Sequence, residues 1–273
     1  MKRYRHYDKD LAIVVAGFGS VIEQAMYTSL RDDIAAAFPQ AHVVLSFSSR
    51  MVLKHLDKAG KHYRTLPQTL ADLDREGYRR VVVASINLFP TDEHAYLAKT
   101  VEGFDLFSPA RFRATRAIWH KTKATSQALK ALNETVSQPN QANLYIIHGV
   151  PLLDLPGLAS VEYVTAFLER IDSANYTGSL EGAFPWYAIK DAMIARIKND
   201  GFARVQIVPL LLVSGNHYRK DMVEIAEDLK AHFNEVQIAP SLTHSDRFNL
   251  IELESTRTIV IENIREEVAK FGC

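Results

Sequence analysis

The chain has 273 residues, with 32 Lys+Arg balanced by 32 Asp+Glu and a single cysteine, Cys273. Hydrophobic residues at 47% and charged residues at 23% exclude a disordered chain, and the zero formal charge argues against a nucleic-acid partner. One thiol leaves no internal disulfide and no Cys-based zinc or iron–sulfur site, a usage that fits a reducing compartment.

In chain order, the basic start Met1-Lys2-Arg3-Tyr4-Arg5 is followed by Asp8 and Asp10, so the apolar residues 11–16 read as a first strand rather than a signal segment. Further Val- and Ile-rich runs predict strands at 42–47, 80–88, 112–118, 144–148, 177–181, 204–213 and 235–239. Amphipathic patterns predict helices at 22–38, 66–76, 122–136, 160–171, 186–199 and 221–233. Gly60, Gly77 and Gly201 stand just past helix ends, where a left-handed cap returns the chain to a sheet. The apolar run at 205–213 contains Pro209 and is too short to span a bilayer, so a cytoplasmic protein without a membrane partner is expected.

Strand–helix–strand alternation predicts an α/β fold made of two doubly wound parallel-sheet halves, 1–138 and 139–273, divided at the polar segment around Pro139. The halves resemble each other. The stretch from Leu70 to Val83 matches the stretch from Ile194 to Ile207 at an offset of 124, sharing an acidic residue, Gly, an aromatic and Arg before a β-branched run. The same offset sets Glu93 against His217, and an offset of 132 sets Ala16 against His148.

In open parallel sheets, ligands bind beyond the carboxyl ends of the strands. Three polar residues stand there in the second half: His148 before Gly149, Glu181 before Gly182, and His217 after Gly215-Asn216. Two imidazoles and a carboxylate suit a borderline divalent ion, although each alone also fits an ordinary strand-end or turn residue.

Three segments carry a family resemblance: Ile146-Ile147-His148-Gly149, Gly178-Ser179-Leu180-Glu181-Gly182-Ala183-Phe184-Pro185, and the run from Pro209 to His217 with Asp221-Met222. Together with Val14-Val15-Ala16-Gly17-Phe18-Gly19-Ser20, they resemble the anaerobic-type sirohydrochlorin cobaltochelatases, members of the class II tetrapyrrole chelatases, over roughly residues 11–265. The resemblance implies two α/β halves with a tetrapyrrole cleft between them, and metal-binding roles for His148, Glu181 and His217. Asn216, Lys220 and Asn87 stand where family members usually carry Asp, Asn and often His, and an apolar stretch, Val150–Pro156, follows His148-Gly149.

That implied chemistry needs a divalent metal as a substrate, Co²⁺ first and Fe²⁺ or Ni²⁺ as alternatives. It also needs groups that accept pyrrolic protons and anchor a many-carboxylate macrocycle. His148, Glu181 and His217 are the expected catalytic residues; Phe18, Ser20, Arg50, Phe89, Glu93 and Tyr218 are the expected substrate-binding residues. The Gly17-Phe18-Gly19-Ser20 loop lacks a full dinucleotide or Walker pattern, so no nucleotide cofactor is expected. A non-catalytic haem or tetrapyrrole binder is the alternative from another class. Self-association is open.

Overall fold

The computed structural model describes residues 5–243 and 247–272, and of residues 216–219 it describes the backbone alone. In chain order the elements are β1 (Lys9–Gly17), α1 (Gln24–Ala37), β2 (His42–Phe47), α2 (Arg50–Lys58), α3 (Leu66–Arg75), β3 (Tyr78–Ser85), α4 (Asp92–Phe107) and β4 (Arg111–Ala114). They continue with α5 (Thr122–Val136), β5 (Ala142–Gly149), α6 (Leu158–Ile171), β6 (Asn175–Glu181), α7 (Trp186–Asn199), β7 (Arg204–Leu210), α8 (Asn216–Lys230), β8 (Glu235–Ile238) and α9 (Glu254–Ala269).

Two parallel sheets of four strands result, ordered β2-β1-β3-β4 and β6-β5-β7-β8. The central strands explain the apolar runs: Ala12–Val15 of β1 and Leu144–Ile147 of β5 are wholly buried, with helices covering both faces. The expected α/β fold is what the chain adopts. Identical strand order fits a duplicated unit, and the offset of 124 carries β4 onto β8 residue for residue. Gly60, Gly77 and Gly201 have φ of 73°, 84° and 87°, the left-handed caps expected of them.

The compact units differ from the expected halves. One comprises residues 1–118 and 257–273, and the other residues 119–256. The helix that follows the fourth strand of each sheet therefore belongs to the unit of the other sheet. Polar anchoring explains the assignment. Asn133 of α5 accepts from Tyr145 Oη and Asn175 Nδ2, each at 2.8 Å, and Ser126 Oγ lies 2.6 Å from Tyr163 Oη. On α9, Arg257 donates to Ser29 and Asp33, while Glu267 accepts from Arg113 Nε at 3.1 Å. These contacts join residues far apart in sequence, so no local composition marks the break at 118/119.

Helices α2, α4 and α9 add to the predicted set, and α8 starts at Asn216 rather than at Asp221. Strand β3 ends at Ser85 and β7 at Leu210, so the apolar residues just beyond them lie in loops, with Ile86, Leu88 and Phe89 buried. Among the described residues, no helix is long and apolar enough to cross a membrane.

Candidate functional site

The carboxyl ends of β5 and β6 are locked by two glycines. Gly149 and Gly182 have φ of 86° and 79°. A Cβ on Gly149 would meet the Glu181 carbonyl oxygen at 1.8 Å, and one on Gly182 would meet the Val150 carbonyl oxygen at 1.8 Å. Only glycine permits both the left-handed backbone and this approach of main chain to main chain. The register already pairs Gly149 with Glu181, so the residue before each glycine is carried to the same edge.

His148 Nδ1 consequently lies 3.3 Å from Glu181 Oε1, with the two side chains 43% and 45% exposed. An imidazole beside a carboxylate is the pairing that orients a metal-ligating histidine in many sites. Beyond Glu181 the loop folds back: Ser179 Oγ donates to the Ala183 carbonyl at 2.7 Å and Ser179 N to the Phe184 carbonyl at 3.2 Å.

The third expected ligand enters with α8. Its approach is anchored at fully buried Ser214, whose N–H donates to Asn249 Oδ1 at 2.6 Å. The helix is seated by fully buried Met222, and Asp228 ties it to α7 by accepting from Trp186 Nε1 at 2.9 Å and from Lys190 Nζ at 3.2 Å. The indole bond, aided by Lys190, holds the Asp228 carboxyl below the ordinary aspartate range. His217 is the second residue of α8; its side chain and that of Tyr218 lie outside the described residues. Among the described residues, no three His, Cys, Asp or Glu side chains cluster as a metal site, so the His148–Glu181 pair is the part of the expected set that the structure displays.

The first unit carries its own cavity of about 240 Å³ at the carboxyl edge of its sheet. Three expected substrate-binding residues line it: Phe18, Arg50 and Glu93. Burial against the wall, then the charge of Asp92, pushes the Glu93 carboxyl above the usual glutamate range, although part of that side chain is exposed. Beneath the Gly17–Gly19 loop, Tyr27 is buried and its phenol is pushed up to about 12, chiefly by burial.

Two other expected residues are placed elsewhere. Ser20 is buried, and its hydroxyl accepts from Ile22 N at 3.2 Å and Glu23 N at 3.1 Å, closing the turn into α1. Phe89 is 7% exposed and packs in the interior. Thr65, Leu66, Pro67, Tyr96 and Leu97 also line the cavity without having been expected there. The signal for Tyr96 was available: it follows Glu93 by three residues in a helix, hence on the same face. Thr65 and Leu66 come from a helix start marked by its capping box with Gln68 and by Pro67 in the first turn.

Fold and site together define a two-unit parallel α/β protein with a His/Glu pair at the carboxyl edge of one sheet. The family model described as cobalt chelatase (CbiK) matches residues 11–269, and the chain belongs to that family. A sirohydrochlorin cobaltochelatase of Salmonella typhimurium is 24% identical over 231 residues, covering 82% of this chain and 84% of the relative. The sirohydrochlorin cobaltochelatase CbiKC of Nitratidesulfovibrio vulgaris is 27% identical over 216 residues, covering 77% and 74%. Among solved structures, SirB from Bacillus subtilis with Fe³⁺ superposes with a TM-score of 0.70 at 17% identity over 96% of this chain and 97% of SirB, a likeness of fold.

Proposed function

We propose that this protein inserts Co²⁺ into sirohydrochlorin, with the metal ion and the macrocycle both as substrates and His148, Glu181 and His217 as the residues that handle the metal. The observation that carries the assignment is the His148 Nδ1–Glu181 Oε1 approach of 3.3 Å at a sheet edge locked by two glycines. Membership of the cobalt chelatase family supports the reaction.

Insertion requires both pyrrolic N–H protons to leave while the ion exchanges protein ligands and water for ring nitrogens. Glu181 orients the His148 ring and balances its charge, so that Nε2 can ligate the ion or accept a proton. His217, at the start of α8, supplies the second imidazole. Positioned acid–base groups of this kind contribute about 10²–10⁴-fold. Phe18, Arg50, Glu93 and Tyr218 are the residues assigned to the macrocycle, the first three lining the cavity of the first unit. A His/Glu/His set does not choose strongly among Co²⁺, Fe²⁺ and Ni²⁺, so preference for cobalt rests on the family. The reaction is assigned to the cytoplasm, in keeping with the single cysteine.

The test is an anaerobic absorbance time course with sirohydrochlorin and Co²⁺, repeated with Fe²⁺ and Ni²⁺ and with no-protein controls. Turnover at substoichiometric protein, fastest with Co²⁺, is the expected result. A shift that saturates at a fixed ratio to protein would make it a tetrapyrrole binder instead. Near-normal turnover after each of His148→Ala, Glu181→Ala and His217→Ala would overturn the site.

A further inference from the structure

The carboxyl edge of the first sheet holds the positional counterpart of the donor set in the second. Gly17 pairs with Phe47 at the ends of β1 and β2, as Gly149 pairs with Glu181 at the ends of β5 and β6. Ala16 thus stands where His148 stands, and Phe47 where Glu181 stands. The 124-residue offset that aligns β4 with β8 puts Glu93 in the place of His217. Two of the three positions, Ala16 and Phe47, are apolar, so this edge lacks the His/Glu donor pair. The position has nevertheless stayed open, as the cavity of about 240 Å³ bounded by Ala16, Gly17 and Glu93 among others.

We propose that this cavity is a subsite for one carboxylate arm of the tetrapyrrole, with the Arg50 guanidinium as its cation. The proposal rests on the function given above and adds where the first unit grips the substrate. The cavity's size favours an arm over a ring: whole small-molecule ligands occupy about 300–1,000 Å³, and about 240 Å³ is available here. Its walls have the matching division of character. Phe18, Leu66, Tyr96 and Leu97 offer apolar surface to a methylene stem, while Arg50 and Ser48 offer donors to the acid at its end.

Arg50 is also uncommitted. It is exposed, and among the described residues no carboxylate pairs with it. Arg64, Arg80 and Arg113 of the same unit, in contrast, are held by Asp72, Asp10 and Glu267. Its backbone position is firm, because Ser49 caps α2 by accepting from Val52 N at 3.3 Å. Glu93 is the one acidic side chain on the cavity wall. Among the described residues it makes no ion pair with Arg50. A planar guanidinium binds a carboxylate through parallel N–H···O bonds, which a lysine ammonium reproduces only as a point charge.

The experiment measures KM for sirohydrochlorin, half-saturation by Co²⁺, and metal-free binding of sirohydrochlorin by absorbance titration. It compares the wild type with Arg50→Ala, Arg50→Lys and Lys54→Ala. The last removes an exposed charge from the same helix, outside the cavity lining, and controls for net charge. Arg50→Ala is expected to raise KM and the metal-free Kd about tenfold, with the Co²⁺ half-saturation unmoved, partial recovery in Arg50→Lys and wild-type values in Lys54→Ala. With the fully esterified macrocycle, the penalty from Arg50→Ala should vanish. If the wild type inserts cobalt and Arg50→Ala still binds sirohydrochlorin normally, or weakens the acid and the ester equally, the subsite is wrong and the function stands. A wild type that neither inserts metal into sirohydrochlorin nor binds it would overturn both.

Discussion

The two sheet edges are built on one plan and held by different means. In the second unit, Gly149 and Gly182 each stand where a Cβ would strike a backbone oxygen at 1.8 Å, so the donor pair is positioned by main chain against main chain. In the first unit, a Cβ on Gly17 would meet the Tyr27 ring at 2.8 Å, and one on Gly19 the Phe47 ring at 2.9 Å. Side chains can give way where a backbone cannot. On the proposed roles, a metal-handling pair would gain from the rigid arrangement and an acid-arm cavity would tolerate the softer one.

The largest expected effect separates the edges chemically. His148→Ala or Glu181→Ala should lower cobalt insertion by about 10²–10⁴-fold while leaving metal-free sirohydrochlorin binding largely intact, the reverse of Arg50→Ala. Paired insertion and binding assays read the contrast directly.

The backbone contrast comes next. Gly149→Ala should destabilise its unit by roughly 3 kcal/mol or more, since it adds a main-chain collision to a left-handed φ. Gly17→Ala, which has only a ring to displace, should cost about 1–2 kcal/mol, and Gly201→Ala, with a left-handed φ but open space around it, about 1 kcal/mol. Denaturant midpoints for the three variants would rank them; an inverted order would refute the distinction between hard and soft edges.

A smaller effect tests the tether of α8. Asp228→Asn should cost about 1 kcal/mol at neutral pH, allowing for solvent around a carboxylate that is one-third exposed. Its folded-state carboxyl is lowered, so the contribution is present above the unfolded aspartate value of about 3.9 and is lost as pH falls through the lower folded value. Stability curves of wild type and variant should therefore converge in strong acid. Parallel curves down to that range would show that the charge is not what matters.

The smallest effect has the opposite sign. Glu93 has a raised carboxyl, so its ionised form is disfavoured in the folded chain and lowers stability above the folded value. Glu93→Gln should raise the midpoint slightly at pH 7, with the gain fading as pH falls through the raised folded value and gone below the unfolded glutamate value of about 4.3.

Much of the scaffold was legible because its causes are local. The β-branched runs of β1, β3, β5 and β7, the left-handed caps at Gly77 and Gly201, and the stretch shared by the two halves are written within short windows of sequence. So was the edge location of His148 and Glu181, since a polar residue before a glycine at the end of a buried strand has few other places to go. Ser20 and Phe89 show the limit. Both stand near strand ends, yet one hydroxyl is consumed in a turn and one ring is buried, outcomes that depend on a few torsions and on neighbours distant in sequence.

By itself, then, the sequence determined the alternation of strands and helices, the repeated unit and the placement of His148 and Glu181 at strand ends, because periodicity and residue chemistry act over a few positions. Only the tertiary structure decided that α5 and α9 each join the unit of the other sheet, that His148 and Glu181 come within 3.3 Å, and that the counterpart edge has a cavity lined by an arginine with no carboxylate partner among the described residues. Those outcomes follow from strand register, glycine-permitted backbone crossings and hydrogen bonds between segments far apart in the chain, which no local window contains.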